Sequence, residues 1–112
     1  MTEAAQKAHR IRVLNDNFRS TFTGGQVFMT RGVNEFPLDV KASILLSVRS
    51  FSELTADNDP YNEHDFGSFE LAGETFFWKI SYYDIGCQYG SEDPADPEKT
   101  TRVLTIMLAS EY

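Results

Sequence analysis

The sequence predicts an α+β fold, a two-layer sandwich with two helices packed on one face of a mainly antiparallel sheet of about four strands, in the order α-β-α-β-β-β. Apolar residues recur at spacings of three and four in two segments, 2–22 and 37–52, which is the helical period. They alternate with a period of two across 75–83, which is the strand period. A chain of 112 residues with 41% hydrophobic and 13% aromatic content holds one packed core and is too short for two, so residues 1–112 are expected to be one domain.

The first helix follows from the stripe Ala4, Ala8, Ile11, Leu14 and Phe18, with Arg10, Arg12 and Arg19 off it and expected to face solvent. Thr23, Gly24 and Gly25 break that helix, and Val27, Phe28 and Met29 form a short strand within 26–30. Pro37 suits a first helical position, Asp39 suits the first turn, and Val40, Ile44, Val48 and Phe51 draw the stripe of a second helix ending near Ser52. The pair Ala72-Gly73 marks a two-residue hairpin turn, which sets Leu71 opposite Glu74 and Phe69 opposite Phe76. In the strand 75–83, Phe76, Trp78, Ile80 and Tyr82 share the core side, leaving Phe77, Lys79, Ser81 and Tyr83 on a side turned to water. Residues 85–99 are a loop rich in proline, glycine and acids, and the run TRVLTIMLA at 101–109 is a strand buried on at least one face.

The net charge of −7 is unevenly spread: up to Ser50 there are 7 basic residues against 4 acidic, and beyond it 3 against 13. The acidic part is unsuited to binding nucleic-acid phosphates, so direct nucleic-acid binding is not expected, while a basic partner or simple solubility suits it. Cys87 is the only cysteine, which excludes an internal disulfide and a cysteine-rich zinc site. With no leader-like start and no apolar run approaching ~18 residues, a cytoplasmic protein without a membrane span is expected.

The stretch DNDPYNEHDFGSFE at 57–70 concentrates the candidate chemistry. Glu63, His64 and Asp65, with Asp57 and Asp59, carry the residue types of a metal site or an acid/base centre. In an extended chain, however, adjacent side chains point to opposite sides, so only Glu63 and Asp65 converge. Neither the zinc-helix pattern nor the EF-hand spacing is present, and no nucleophile can be set beside His64. Asn, Asp and Pro at 57–60 equally make a turn whose side chains cap backbone groups. No cofactor or metal is assigned. The residues expected to form a binding surface are Asp57, Asp59, Tyr61, Glu63, Asp65, Lys79, Tyr83, Tyr89, Glu92, Asp93, Asp96 and Glu98.

Asn58-Asp59-Pro60-Tyr61, Glu63-His64-Asp65-Phe66-Gly67, Phe77-Trp78-Lys79-Ile80, Tyr82-Tyr83-Asp84 and the closing TTRVLTIMLASEY resemble a family of small bacterial proteins described as a domain of unknown function. The resemblance runs from about Ile11 to Tyr112. It implies a setting on plasmids and other mobile elements, and no catalytic residue.

These readings favour a non-enzymatic acidic module that binds another protein. Its concrete form is an inhibitor of a host defence complex, anti-CRISPR or anti-restriction, presenting carboxylates where phosphates would lie. One alternative is a metal-assisted hydrolase using Asp59, Glu63, His64 and Asp65. Another is a DNA-binding regulator acting through Arg10, Arg12 and Arg19.

Overall fold

The computed structural model describes residues 2–54 and 59–112. Helix α1 spans Glu3–Thr21 and starts at Thr2, whose hydroxyl accepts the Ala5 N–H at 3.0 Å. It stops at Phe22, which takes a left-handed conformation (φ 58°) and donates its N–H to the Phe18 carbonyl. Strand β1 is Gln26–Met29, α2 is a single turn at Arg31–Asn34, and α3 is Leu38–Arg49. Strands β2 (Phe66–Leu71), β3 (Glu74–Tyr83) and β4 (Thr101–Leu108) follow, then a 3₁₀ turn at Ala109–Glu111.

The four strands lie in the order β1-β4-β3-β2. The β2–β3 hairpin has the expected register, Leu71 with Glu74 and Phe69 with Phe76, and Ala72 and Gly73 both adopt positive φ as its two-residue turn requires. The sheet is mixed: β3 pairs antiparallel with both neighbours, but β1 runs parallel to β4. The α2–α3 segment and the hairpin separate β1 from β4 along the chain, which is long enough for the crossover that a parallel pair needs.

Helix α3 ends at Arg49, three residues short of Ser52. Phe51 leaves the helix to meet the Trp78 ring edge-on at 5.4 Å, so this member of the predicted stripe packs from beyond the helix end. Ile44 and Val48 of α3, Val33 of α2 and Phe18 of α1 converge on Phe76, Trp78, Ile80, Leu104 and Ile106 of the sheet. Trp78 is accommodated by Gly67 across the hairpin, where an added Cβ would lie 2.3 Å from the indole nitrogen.

The α1 stripe differs from expectation: Arg19 is buried along with Ile11, Asn15 and Phe18, whereas Ala4 is exposed and Ala8 and Leu14 are half-buried. Positions 11, 15, 18 and 19 form one helical face, so the two polar members enter the structure with the two apolar ones. On the opposite sheet face Tyr112 folds over β2 and β3. Its ring meets Phe77 at 5.6 Å and Phe66 at 6.0 Å, with Lys79 Nζ 5.7 Å from its centre. Glu111 anchors that C-terminal turn by accepting the Thr30 hydroxyl and the N–H groups of Gly32 and Leu108. These bonds, the Thr30 bond foremost, lower the Glu111 pKa.

Candidate functional site

Residues 59–65 form a turn built on Asp59. Its carbonyl accepts the Asn62 N–H at 3.0 Å, and its Oδ1 accepts the N–H groups of Glu63 and His64, each at 3.1 Å. Only 6% of Asp59 is exposed, so it is an internal cap and not part of the surface. Asn62 and His64 both adopt left-handed backbone, with φ of 57° and 56°. The extended geometry expected for 63–65 is therefore replaced by a turn, because the Asp59 carboxylate draws two successive N–H groups toward itself.

The three central side chains go to different partners. Glu63 accepts the Tyr82 hydroxyl at 2.9 Å. His64 faces a carboxylate from each ring nitrogen: Nδ1 lies 2.8 Å from Asp16 Oδ1 on α1, and Nε2 lies 3.6 Å from Asp59 Oδ2. Asp65 is half-buried, and burial raises its pKa, with the Glu63 and Asp59 charges adding to the effect. Its carbonyl accepts the Ile80 N–H, which ties the turn to β3.

A second layer comes from α1 and β4. Asn15, fully buried, donates to the Glu63 carbonyl at 3.0 Å and the Tyr82 hydroxyl at 2.8 Å, while its Oδ1 accepts Arg102 Nε at 2.8 Å. Arg102 also donates to the Pro94 carbonyl and lies over the Tyr82 ring at 5.3 Å. Burial lowers the Arg102 pKa and pushes the Tyr82 hydroxyl well up, so Tyr82 keeps its proton and donates it to Glu63. Arg19 donates to the Val48 carbonyl at 2.8 Å and lies 5.0 Å over Trp78, and burial lowers its pKa also. Arg12 donates to the Asn62 carbonyl at 2.9 Å and contacts His9, whereas Arg10 is exposed.

Chemically, this arrangement is a closed set of mutual contacts. His64 is held by Asp16 and Asp59, Glu63 by Tyr82, and Asp59 by two backbone donors. Cys87 is exposed in the turn after β3, where its N–H donates to the Asp84 carbonyl. Among the described residues no group of three His, Cys, Asp or Glu side chains is disposed to hold a metal ion. Asp57 lies outside the described residues. Asn15, Asp16 and Arg102 were not anticipated as partners of the 59–65 turn, although the four-residue step from Ile11 to Asn15 placed Asn15 on the buried face.

Of the other predicted surface residues, Tyr89, Glu92, Asp93, Asp96 and Glu98 lie on the loop after β3, and Tyr83 ends that strand. Asp84 Oδ1 accepts the Gln88 N–H, Asp84 N–H donates to the Tyr89 carbonyl, and Gly90 bridges back to Tyr83. Asp93 and Asp96 accept the N–H groups of Ala95 and Glu98, so both shape the loop, and Asp93 also pairs with Lys7 at 3.4 Å. A hollow of about 400 Å³ is lined by Asp84, Ile85, Gly90, Glu92, Glu98 and Lys99. Lys99 lies 3.8 Å from Glu92. Ile85 is 61% and Tyr89 72% exposed, with Tyr83 and Tyr61 also exposed. Lys79 sits apart from them, under Tyr112 on the Phe77 face of the sheet.

The model of the family described as "Protein of unknown function (DUF3768)" matches residues 29–111. The chain belongs to this family. The match takes in the 59–65 turn, the hairpin, the 84–99 loop and β4, and it begins after α1, later in the chain than the resemblance from Ile11. The family's residues are thus joined by α1 through Asn15, Asp16 and Arg19. No curated protein and no solved structure matches the chain. No helix among the described residues is long and apolar enough to cross a membrane.

Proposed function

We propose that the chain is a non-enzymatic protein-interaction module that takes a basic partner on the loop 84–99. The observation that carries this reading is that exposed Ile85 lines one hollow with Asp84, Glu92 and Glu98, while exposed Tyr83 and Tyr89 are joined by backbone bridging to its lining residues Gly90 and Asp84. Such a surface combines the aromatic and apolar area that dominates contact energy with charges that select lysine and arginine. Tyrosine faces additionally accept a guanidinium or ammonium group. The 59–65 turn supports the same reading from the other side, since Asp59, Glu63 and His64 are engaged in holding α1, β3 and the turn together.

A basic groove that binds nucleic acid is a fitting occupant, so the concrete form of this reading is blockade of a host defence complex, with Glu92 and Glu98 standing where phosphates would lie. The setting on mobile elements implied by the family resemblance suits that form. Affinity capture from the native host by the wild-type chain and by the Glu92→Lys/Glu98→Lys double variant, followed by mass spectrometry, tests it. The wild type is expected to retain a basic, nucleic-acid-handling protein that the variant loses. Equal retention by both, or capture of no such protein, counts against the reading.

A further inference from the structure

On the far side of the same loop, α1 and residues 95–97 enclose a groove of about 340 Å³ lined by His9, Arg10, Val13, Leu14, Ala95 and Pro97. On α1 the four lining positions are two adjacent pairs one turn apart, which form a single strip along the helix. Its floor is apolar, from Val13, Leu14, Ala95 and Pro97, and Val13 is 43% exposed. The size lies at the lower end of the roughly 300–1,000 Å³ of ligand sites, which is room for one or two side chains.

The helix side of this groove carries one lining guanidinium, Arg10, on a chain whose net charge is −7, and Asp96 stands in the chain between the lining residues Ala95 and Pro97. Lys7 is paired with Asp93, and Arg12 is spent on the Asn62 carbonyl and His9. Arg10, by contrast, makes no hydrogen bond or ion pair among the described residues, and it stands directly beside the apolar floor. An apolar floor with an adjoining unpaired guanidinium is complementary to an apolar side chain that has a carboxylate next to it. Nucleic acid would use the guanidinium and leave the floor empty.

We infer that this groove docks a short acidic segment of a partner protein, seating a leucine- or isoleucine-sized side chain against Val13, Leu14, Ala95 and Pro97 and an adjacent Asp or Glu on Arg10. The site is separate from the acidic hollow and of opposite charge, so the two readings stand or fall independently.

The test is to pan a phage-displayed library of random short peptides against the full chain and measure the selected peptides by fluorescence anisotropy. The expected selection is an apolar residue flanked by Asp or Glu, with binding weakened about tenfold or more by Arg10→Glu and by Val13→Asp, and weakened by added salt. Both positions are exposed, and Val13→Ala, expected to weaken binding without adding charge, guards against a folding effect of Val13→Asp. Failure to select such peptides, or equal binding by wild type and variants, overturns the inference. It is also overturned if phosphatidylserine vesicles or duplex DNA bind through Arg10 with no dependence on Val13. Self-association of the chain that Val13→Asp abolishes would assign the groove to a second copy and overturn it likewise. The Glu92→Lys/Glu98→Lys comparison does not touch these residues, so its outcome is read separately.

Discussion

In the turn from Asp59 to Asp65 the side chains of Asp59, Glu63 and His64 bond to α1, β3 and the backbone of their own turn, whereas between Asp84 and Lys99 Glu92 and Glu98 remain at the surface on the same loop as exposed Tyr89 and Ile85. Both segments are acidic and rich in turn residues. The difference lies in what each packs against. The first is pressed onto the polar face of α1, where Asn15, Asp16 and Arg12 wait for partners. The second meets α1 through the Lys7–Asp93 pair and the Ala95 and Pro97 edge. A concentration of functional-looking residues is thus a poor guide to a site until it is known which of their donors and acceptors the fold has already used.

The strongest way to break this comparison is to remove Asn15. Asn15→Ala leaves buried Arg102 Nε without its acceptor and deprives Tyr82 and Glu63 of a donor, which is expected to cost about 3 kcal/mol. Chemical denaturation measures it as a lower midpoint at unchanged slope. A loss below about 0.5 kcal/mol would mean the network is dispensable, and the inward-facing half of the comparison would fail.

Next in size is His64→Ala. Asp59 keeps its two backbone bonds in this variant, while Asp16 loses the link between helix and turn, so a smaller cost of about 1–2 kcal/mol is expected. The variant should leave partner capture by the 84–99 loop intact. Loss of capture by a still-folded His64→Ala chain would give the histidine a role beyond structure.

Asp65 should show the opposite sign. Its pKa is raised in the folded state, so the folded chain holds that proton more tightly than the unfolded one, and the associated stability is present at acid pH and lost as pH rises through the carboxyl range. Asp65→Asn removes the cost of burying the charge and should stabilise the chain at neutral pH by under about 1 kcal/mol. The gain should vanish at acid pH. A thermal melt of both chains at several pH values checks it, and a destabilised variant at neutral pH would show that the carboxylate is paired more than it is buried.

The fold was largely legible because its signals are local. The Ala72-Gly73 turn fixed the hairpin register, and the period-two alternation placed Phe76, Trp78 and Ile80 on the core side. The parallel pairing of β1 with β4 was not legible, since four residues at a sheet edge carry no mark of direction. The site was less legible for a related reason. The periodicity of α1 was read from its apolar members alone, so Asn15 was left out of the stripe and Arg19 was expected to face solvent, although they fall one helical turn from Ile11 and Asn15 respectively. Their partners Tyr82, Glu63, Arg102 and Val48 are distant in sequence, and no local pattern joins them.

The smallest expected effect on stability sharpens the comparison most. Glu98→Lys changes an exposed side chain of the 84–99 loop that makes no hydrogen bond or ion pair among the described residues, its backbone N–H alone donating to Asp96, so the folding free energy should move by no more than about 0.5 kcal/mol. Reversing the charge at the hollow should nevertheless slow association with a basic partner and weaken it further at low salt than at high salt, because exposed charges act mainly through long-range attraction that ions screen. Asn15→Ala and Glu98→Lys therefore make a crossed pair: the first should lower stability with binding retained by whatever fraction stays folded, and the second should lower binding with stability retained. If Glu98→Lys destabilises the chain as much as Asn15→Ala does, the loop is structural in the same sense as the turn, and the surface role assigned to Asp84, Glu92 and Glu98 has no basis.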